Sequence, residues 1–133
     1  RAVVKLPAEV LEVWQAEDLQ TKKGSVIHTA VLAGIQGTKR TSELIPLCHP
    51  LPLNKASVEI SRNPADPSEI WIDCEVSTDH KTGVEMEALT GAMVAALTIY
   101  DMCKSLSHDI VVKDVQLMQK SGGKRDFQRK ENE

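Results

Sequence analysis

The stretch from Thr82 to about Leu106 constrains the rest of the chain most. Thr82, with Glu85 three residues later, matches a capping box, and the spacing predicts a long helix from there. Its apolar residues run almost all the way round: Met86, Leu89, Ala92, Met93, Ala95, Ala96, Leu97, Ile99, Tyr100, Met102 and Cys103. A helix of that kind is buried on more than one side. The 133 residues suggest one domain, and one sheet face in so small a domain cannot cover the helix. Contact with further copies of the chain is therefore expected, with Gly91, Ala92, Ala95 and Ala96 permitting close approach.

The segments around this helix read as follows. Pro7 to Glu17 predicts a short helix, with Pro7 in its first turn and Val10, Leu11 and Trp14 on one face. Val26 to Ile35 is apolar and rich in Val, Ile and Thr, and reads as a buried strand ending near Gly34 and Gly37. Thr38 to Ile45 allows one or two helical turns. Pro46, Pro50 and Pro52 then forbid regular structure. Lys55 to Arg62 alternates Ala56, Val58 and Ile60 with Ser57, Glu59 and Ser61, and Ile70 to Val76 alternates likewise. With a turn at Asn63–Ser68, these make an antiparallel hairpin. Ile110 to Leu117 is a last strand, before a charged tail at Gly122-Gly123. The order βαββαβ predicts a ferredoxin-like α+β sandwich, an antiparallel sheet with helices on one face. Residues 1–22 form an N-terminal helix region, 23–120 the ferredoxin-like core and 121–133 the tail of a single domain.

Composition narrows the function. Net charge is −3 and only four aromatic side chains exist, Trp14, Trp71, Tyr100 and Phe127. A nucleic-acid binder is normally basic with exposed aromatics, so no nucleic-acid partner is expected. Cys48, Cys74 and Cys103 are an odd set without a CxxC pair, not a disulfide framework. They read as reduced thiols of a cytoplasmic protein. No run reaches the roughly 20 apolar residues of a membrane span, and no signal-peptide pattern appears. Arg1 is an unusual native start, which suggests that a short N-terminal segment has been trimmed.

Polar clusters interrupt the apolar pattern. Asp101 and Lys104, three apart on the long helix, are neighbours on one face. Glu87 precedes Asp101 by 14 residues, which at about 100° per residue puts it within about 40° of that face, almost four turns away. Such a pair is either a surface ion pair or part of a site, in which a lysine with a lowered pKa serves as general acid. Glu85 fits the capping position, which does not exclude contact with a ligand. Leu47-Cys48-His49 sits on the proline-constrained loop, where little ordering entropy remains to be lost on binding. His49 suits acid, base or donor roles. A zinc site at Cys48-His49 lacks spaced partners, so no metal is expected. Lys23, Lys39, Arg40, Lys120 and Lys124 flank element ends and can gather round a polyphosphate. Ser121-Gly122-Gly123-Lys124 lacks the P-loop pattern and equally suits a flexible tail.

Taken together, Ser42–Leu51, Thr82–Thr90 and Ala95–Lys104 closely resemble the cyclic pyranopterin monophosphate synthases, the molybdenum cofactor biosynthesis protein C family, with similarity from about Lys23 to Phe127. The resemblance implies a lyase that converts 3′,8-cyclo-7,8-dihydroguanosine 5′-triphosphate into cyclic pyranopterin monophosphate and releases pyrophosphate, without a cofactor. It also implies a homohexamer, a trimer of dimers, with sites at subunit interfaces. By motif, Asp101 and Lys104 are the catalytic pair. Leu47, Cys48, His49, Glu85, Met86, Glu87, Lys23 and Lys120 match the family's substrate contacts, a role the resemblance implies for them. Against that resemblance, Ser25 stands where the family usually has Asp, the tail after Gly123 is one residue shorter, and the family's usual segment before Arg1 is expected to have been trimmed. The rival reading is a non-enzymatic nucleotide- or metabolite-binding module on the same fold.

Overall fold

Ala2-Val3-Val4-Lys5 is extended and lies inside a sheet, because Ala2 and Val4 point to one face and are wholly buried there. The computed structural model describes residues 1–15 and 18–131. In chain order the elements are β1 (Ala2–Lys5), α1 (Ala8–Leu11), β2 (Trp14–Gln15), β3 (Asp18–Thr21), β4 (Gly24–Ser25), α2 (Val26–Lys39) and α3 (Thr41–Leu44). They continue with β5 (Lys55–Arg62), β6 (Glu69–Ser77), α4 (Glu85–Cys103), β7 (Val111–Val115), β8 (Gln119–Lys120) and β9 (Phe127–Gln128).

The principal sheet has the order β5-β6-β1-β7, antiparallel throughout. Together with α2 and α4 this is the ferredoxin-like βαββαβ arrangement, and the expected fold class holds. The register pairs Val4 with Ile70, Ala2 with Ile72, and Val58 with Cys74. Period-two alternation thus sends Ala2, Val4, Val58, Ile70 and Ile72 into one core with Val26, Ala30, Ala92, Ala95, Ala96 and Ile99. A shift in the β1–β7 register between Val3 and Val4 marks a local irregularity beside this core.

Two expectations are corrected. Val26–Ile35 is not a strand but most of α2. Its buried residues Val26, Ala30, Gly34, Gly37 and Thr38 fall three or four apart, a helical stripe. Packing of that stripe on α4 overrides the β preference of its Val and Ile. The strand that opens the βαββαβ series is β1, so the sheet includes residues ahead of the expected 23–120 core. The N-terminal helix is also shorter than expected, Ala8–Leu11 with Pro7 at its N-cap position. Its expected end at Glu17 lies outside the described residues.

Gly34 and Gly91 explain how closely α2 and α4 cross. A Cβ on Gly34 would meet the Gly91 carbonyl oxygen and a Val58 methyl, both at 2.9 Å. One on Gly91 would meet the Cys74 sulfur and the Thr38 methyl, both at 2.6 Å. The small residues expected to serve contacts between copies are therefore used within the protomer. Left exposed on the helices are Leu32, Met86, Met93 and Leu97, with Leu44 on α3. By length and composition alone the 19-residue α4 could cross a membrane. Here it packs on α2, β1 and β6 as a core helix.

Candidate active site

The N-terminal end of α4 gathers one group of the expected residues. Glu87 is only 4% exposed, and the Cys48 thiol donates to its carboxylate at 3.7 Å. Partial burial, then the Glu87 charge, push the Cys48 thiol above its ordinary pKa. The loop carrying Cys48 has no regular structure, as its prolines require. It is pinned by the Cys48 N–H on the Ile45 carbonyl at 3.1 Å and by the Thr78 hydroxyl on the Pro52 carbonyl at 2.8 Å. Leu47 is 93% exposed, and His49, two residues on, and Met86, in the first turn of α4, are exposed as well.

Glu85 corrects the capping-box expectation. Val84 occupies the N-cap, and no side chain caps the helix. The Glu85 carboxylate folds back over Gly83 and accepts from the Lys120 ammonium at 3.1 Å. The bond from its own backbone N–H, then the Lys120 contacts, outweigh partial burial and hold its pKa low. This pair opens onto a cleft of about 1010 Å³ whose lining includes Lys81, Thr82, Glu85, Lys120, Ser121 and Arg129. Cys48, His49 and Glu87 lie outside that lining.

The charge pattern of the cleft was not legible from spacing. Its acids are Asp73, Glu75, Glu85 and Glu131. Asp73 and Glu131 pair with Arg1, Glu75 with Lys55 and Glu85 with Lys120. Lys81, Arg129 and Lys130, also in the lining, have no ion-pair partner among the described residues. With the acids neutralised, the rim favours an anion. The sequence signal was limited to the cations at element ends, Lys120 among them, and the charged tail.

The C-terminal end of α4 holds the second group. The Lys104 ammonium donates to Asp101 Oδ1 at 2.8 Å, and Lys23 Nζ stands 3.6 Å from Asp101 Oδ2. The Lys104 bond and charge, with Lys23, hold the Asp101 carboxyl below its ordinary pKa. The Asp101 bond in turn raises that of Lys104. A lysine lowered toward neutrality is thus not what the protomer contains. The triad is solvent-exposed, and an exposed ion pair contributes little to stability, so stability does not account for it.

Lys23 reaches Asp101 from the tip of a hairpin. Thr21 pairs with Gly24, which leaves Lys22-Lys23 as a two-residue turn. Gly24 has φ +106°, a conformation that suits glycine. The two groups do not meet within one protomer. Glu87 and Asp101 are separated by about 21 Å of helix at 1.5 Å per residue. Among the described residues, no cluster of three or more His, Cys, Asp or Glu could hold a metal ion.

Comparison with known proteins then decides the family, because a model of the MoaC family matches residues 1–123. This chain belongs to the MoaC family. A cyclic pyranopterin monophosphate synthase of Xanthomonas oryzae is 51% identical over 124 residues, 93% of this chain and 74% of that protein. A molybdenum cofactor biosynthesis bifunctional protein of Synechocystis is 47% identical over 128 residues, 95% of this chain but 37% of that protein. Molybdenum cofactor biosynthesis protein 1 of Drosophila melanogaster is 53% identical over 114 residues, 86% of this chain and 20% of that protein. The chain thus spans about three quarters of the Xanthomonas relative and a minor part of the other two.

Proposed function

We propose that this chain is a cyclic pyranopterin monophosphate synthase, a lyase acting on 3′,8-cyclo-7,8-dihydroguanosine 5′-triphosphate with release of pyrophosphate. The observation that carries the reading is the division of its site residues. The residues we assign to the site fall at both ends of α4, Asp101 with Lys104 and Lys23 at one end, and Glu85 with Lys120 and Glu87 with Cys48 at the other. A homohexamer with sites between protomers would bring Asp101, Lys104 and Lys23 of one copy against Leu47, Cys48, His49, Glu85, Met86, Glu87 and Lys120 of another. The uncovered Leu32, Leu44, Met93 and Leu97 favour such an assembly.

Closing a cyclic phosphate with loss of pyrophosphate requires a hydroxyl oxygen to bond to the α-phosphorus as the bond to the β-phosphate oxygen breaks. The hydroxyl proton goes to a base, and charge accumulates on the departing pyrophosphate. Lys104, oriented by Asp101, is the general acid/base in this reading. Lys23 and Lys120 stabilise phosphate charge, while Glu85, Glu87 and His49 grip the purine-derived ring. A partner's carboxylates and the bound phosphates would change the surroundings of Lys104, and with them its pKa. Three free thiols suit a reducing, cytoplasmic location.

The test is direct turnover. Supplied with the cyclic triphosphate, the protein should release pyrophosphate and form the pyranopterin. Lys104→Ala should lower kcat at least about 100-fold while substrate still binds. Tight binding without product from the unaltered protein would instead favour a metabolite-binding module.

A further inference from the structure

Ser25 stands at the junction of β4 and α2 and makes two hydrogen bonds through one oxygen. Its hydroxyl donates to Asp18 Oδ1 at 2.8 Å and accepts from the His28 N–H at 3.2 Å. The second bond is an ordinary N-cap. The first has no part in capping. Asp18 begins β3, and its carboxylate also accepts from the Leu19 N–H and the Gln20 side-chain amide, each at 2.8 Å. Ser25 lies opposite Gln20 in the β3–β4 register, so the Asp18–Ser25 bond spans the base of the hairpin whose tip is Lys22-Lys23. At the tip, the Lys23 N–H donates to the Thr21 hydroxyl at 3.2 Å.

We propose that Asp18 and Ser25 are positioning residues: their hydrogen bond clips the β3–β4 hairpin to the start of α2 and so holds Lys23 opposite Asp101. The inference rests on the reading of Lys23 as a site residue. A hairpin of four paired residues has only short ladders to hold it, so its direction depends on such anchors. An error of about 1 Å in placing a charged group can lower turnover by about two orders of magnitude.

The position invites a specific experiment, because capping and clipping can be separated. Aspartate caps a helix about as well as serine. Ser25→Asp therefore keeps the cap but replaces the hydroxyl that donates to Asp18 Oδ1 at 2.8 Å with a second carboxylate. Adding Asp18→Asn restores a donor–acceptor pair, since an amide can donate to the introduced carboxylate. The quantities to measure are kcat, KM, the thermal midpoint, and amide hydrogen exchange at Lys22, Lys23 and Gly24.

Ser25→Asp should lower kcat by about tenfold or more, with the thermal midpoint close to that of the unaltered protein and exchange accelerated at the hairpin tip. The double variant Asp18→Asn/Ser25→Asp should recover both kcat and slow exchange. A purely capping role predicts no loss in Ser25→Asp and no rescue in the double variant, and that result would overturn the proposal. Lys23→Ala separates the two readings. If it is crippled while Ser25→Asp turns over normally, the clip is refuted and the role of Lys23 stands. If Lys23→Ala is fully active, the positioning role falls together with the role of Lys23. Unchanged exchange in Ser25→Asp would refute the clip itself.

Discussion

Gly83 controls Glu85 by having no side chain. A Cβ at Gly83 would fall on the Glu85 carboxyl group, whose carbon stands 2.7 Å from that position. The clash is with the end of a flexible side chain, so Gly83→Ala should change stability by less than about 0.5 kcal/mol. It should nevertheless push the carboxylate off Lys120 and raise KM for the triphosphate severalfold. Steady-state kinetics beside a urea melt would show the two effects separately. A second residue-scale expectation concerns Glu69, 8% exposed. The Lys113 ammonium donates to it and, with Asn63, holds its pKa below the ordinary 4.5 against the effect of burial. A carboxyl with a depressed folded pKa contributes stability above its unfolded value and loses it as pH falls through the folded one. Stability should therefore decline below about pH 4.5, and Glu69→Gln should make that decline shallower in acid titrations followed by circular dichroism.

At the scale of elements, the crossing of α2 and α4 leaves no room for a Cβ at Gly34 or Gly91. A methyl group on Gly91 has the Thr38 and Cys74 side chains and the Gly34 backbone to displace. Overpacking of this kind costs about 1–3 kcal/mol, which Gly91→Ala should show as a lower urea midpoint at unchanged m-value. The same crossing explains what could be read from the sequence. The β5–β6 hairpin was legible because Val58 and Ile60 alternate with polar residues and Asn63–Ser68 is turn chemistry. The long helix was legible from its length and continuous apolar content. Val26–Ile35 misled because its Val and Ile favour strands locally, while the decisive facts were the small Gly34 and Gly37 facing α4, and a Ser25 cap. β1 was missed because four residues at the start of the chain carry too little periodicity to register. Glu85 was legible as a polar contact but not as a partner of Lys120, which lies 35 residues later and is brought close only by the fold.

For the whole molecule, the candidate site residues were picked out by their motifs, but their division between the two ends of α4 was not legible. Helical spacing put Glu87 and Asp101 within about 40° of one face, yet Glu87 is buried against Cys48 while Asp101 is exposed to solvent at the far end. Covering Met93 and Leu97 with another copy would meet both needs together, burying apolar surface and joining the two ends of different helices. The exposed aliphatic residues are then contact positions. Under the proposed assembly, Leu97→Glu should shift the protein toward smaller species in sedimentation and lower activity with them, because on that reading each lost contact removes a site.

Shared sites can be tested most directly with mixed assemblies. Lys104→Ala disables one end of α4 and Glu87→Gln the other, so neither protein alone should turn over the triphosphate. Co-expressed with two different tags and purified through both, the mixed hexamers should regain about a quarter of full activity, the share of sites in which both contributing ends are intact under random pairing. Mixed hexamers recovered through both tags but still inactive would contradict sites built from two protomers.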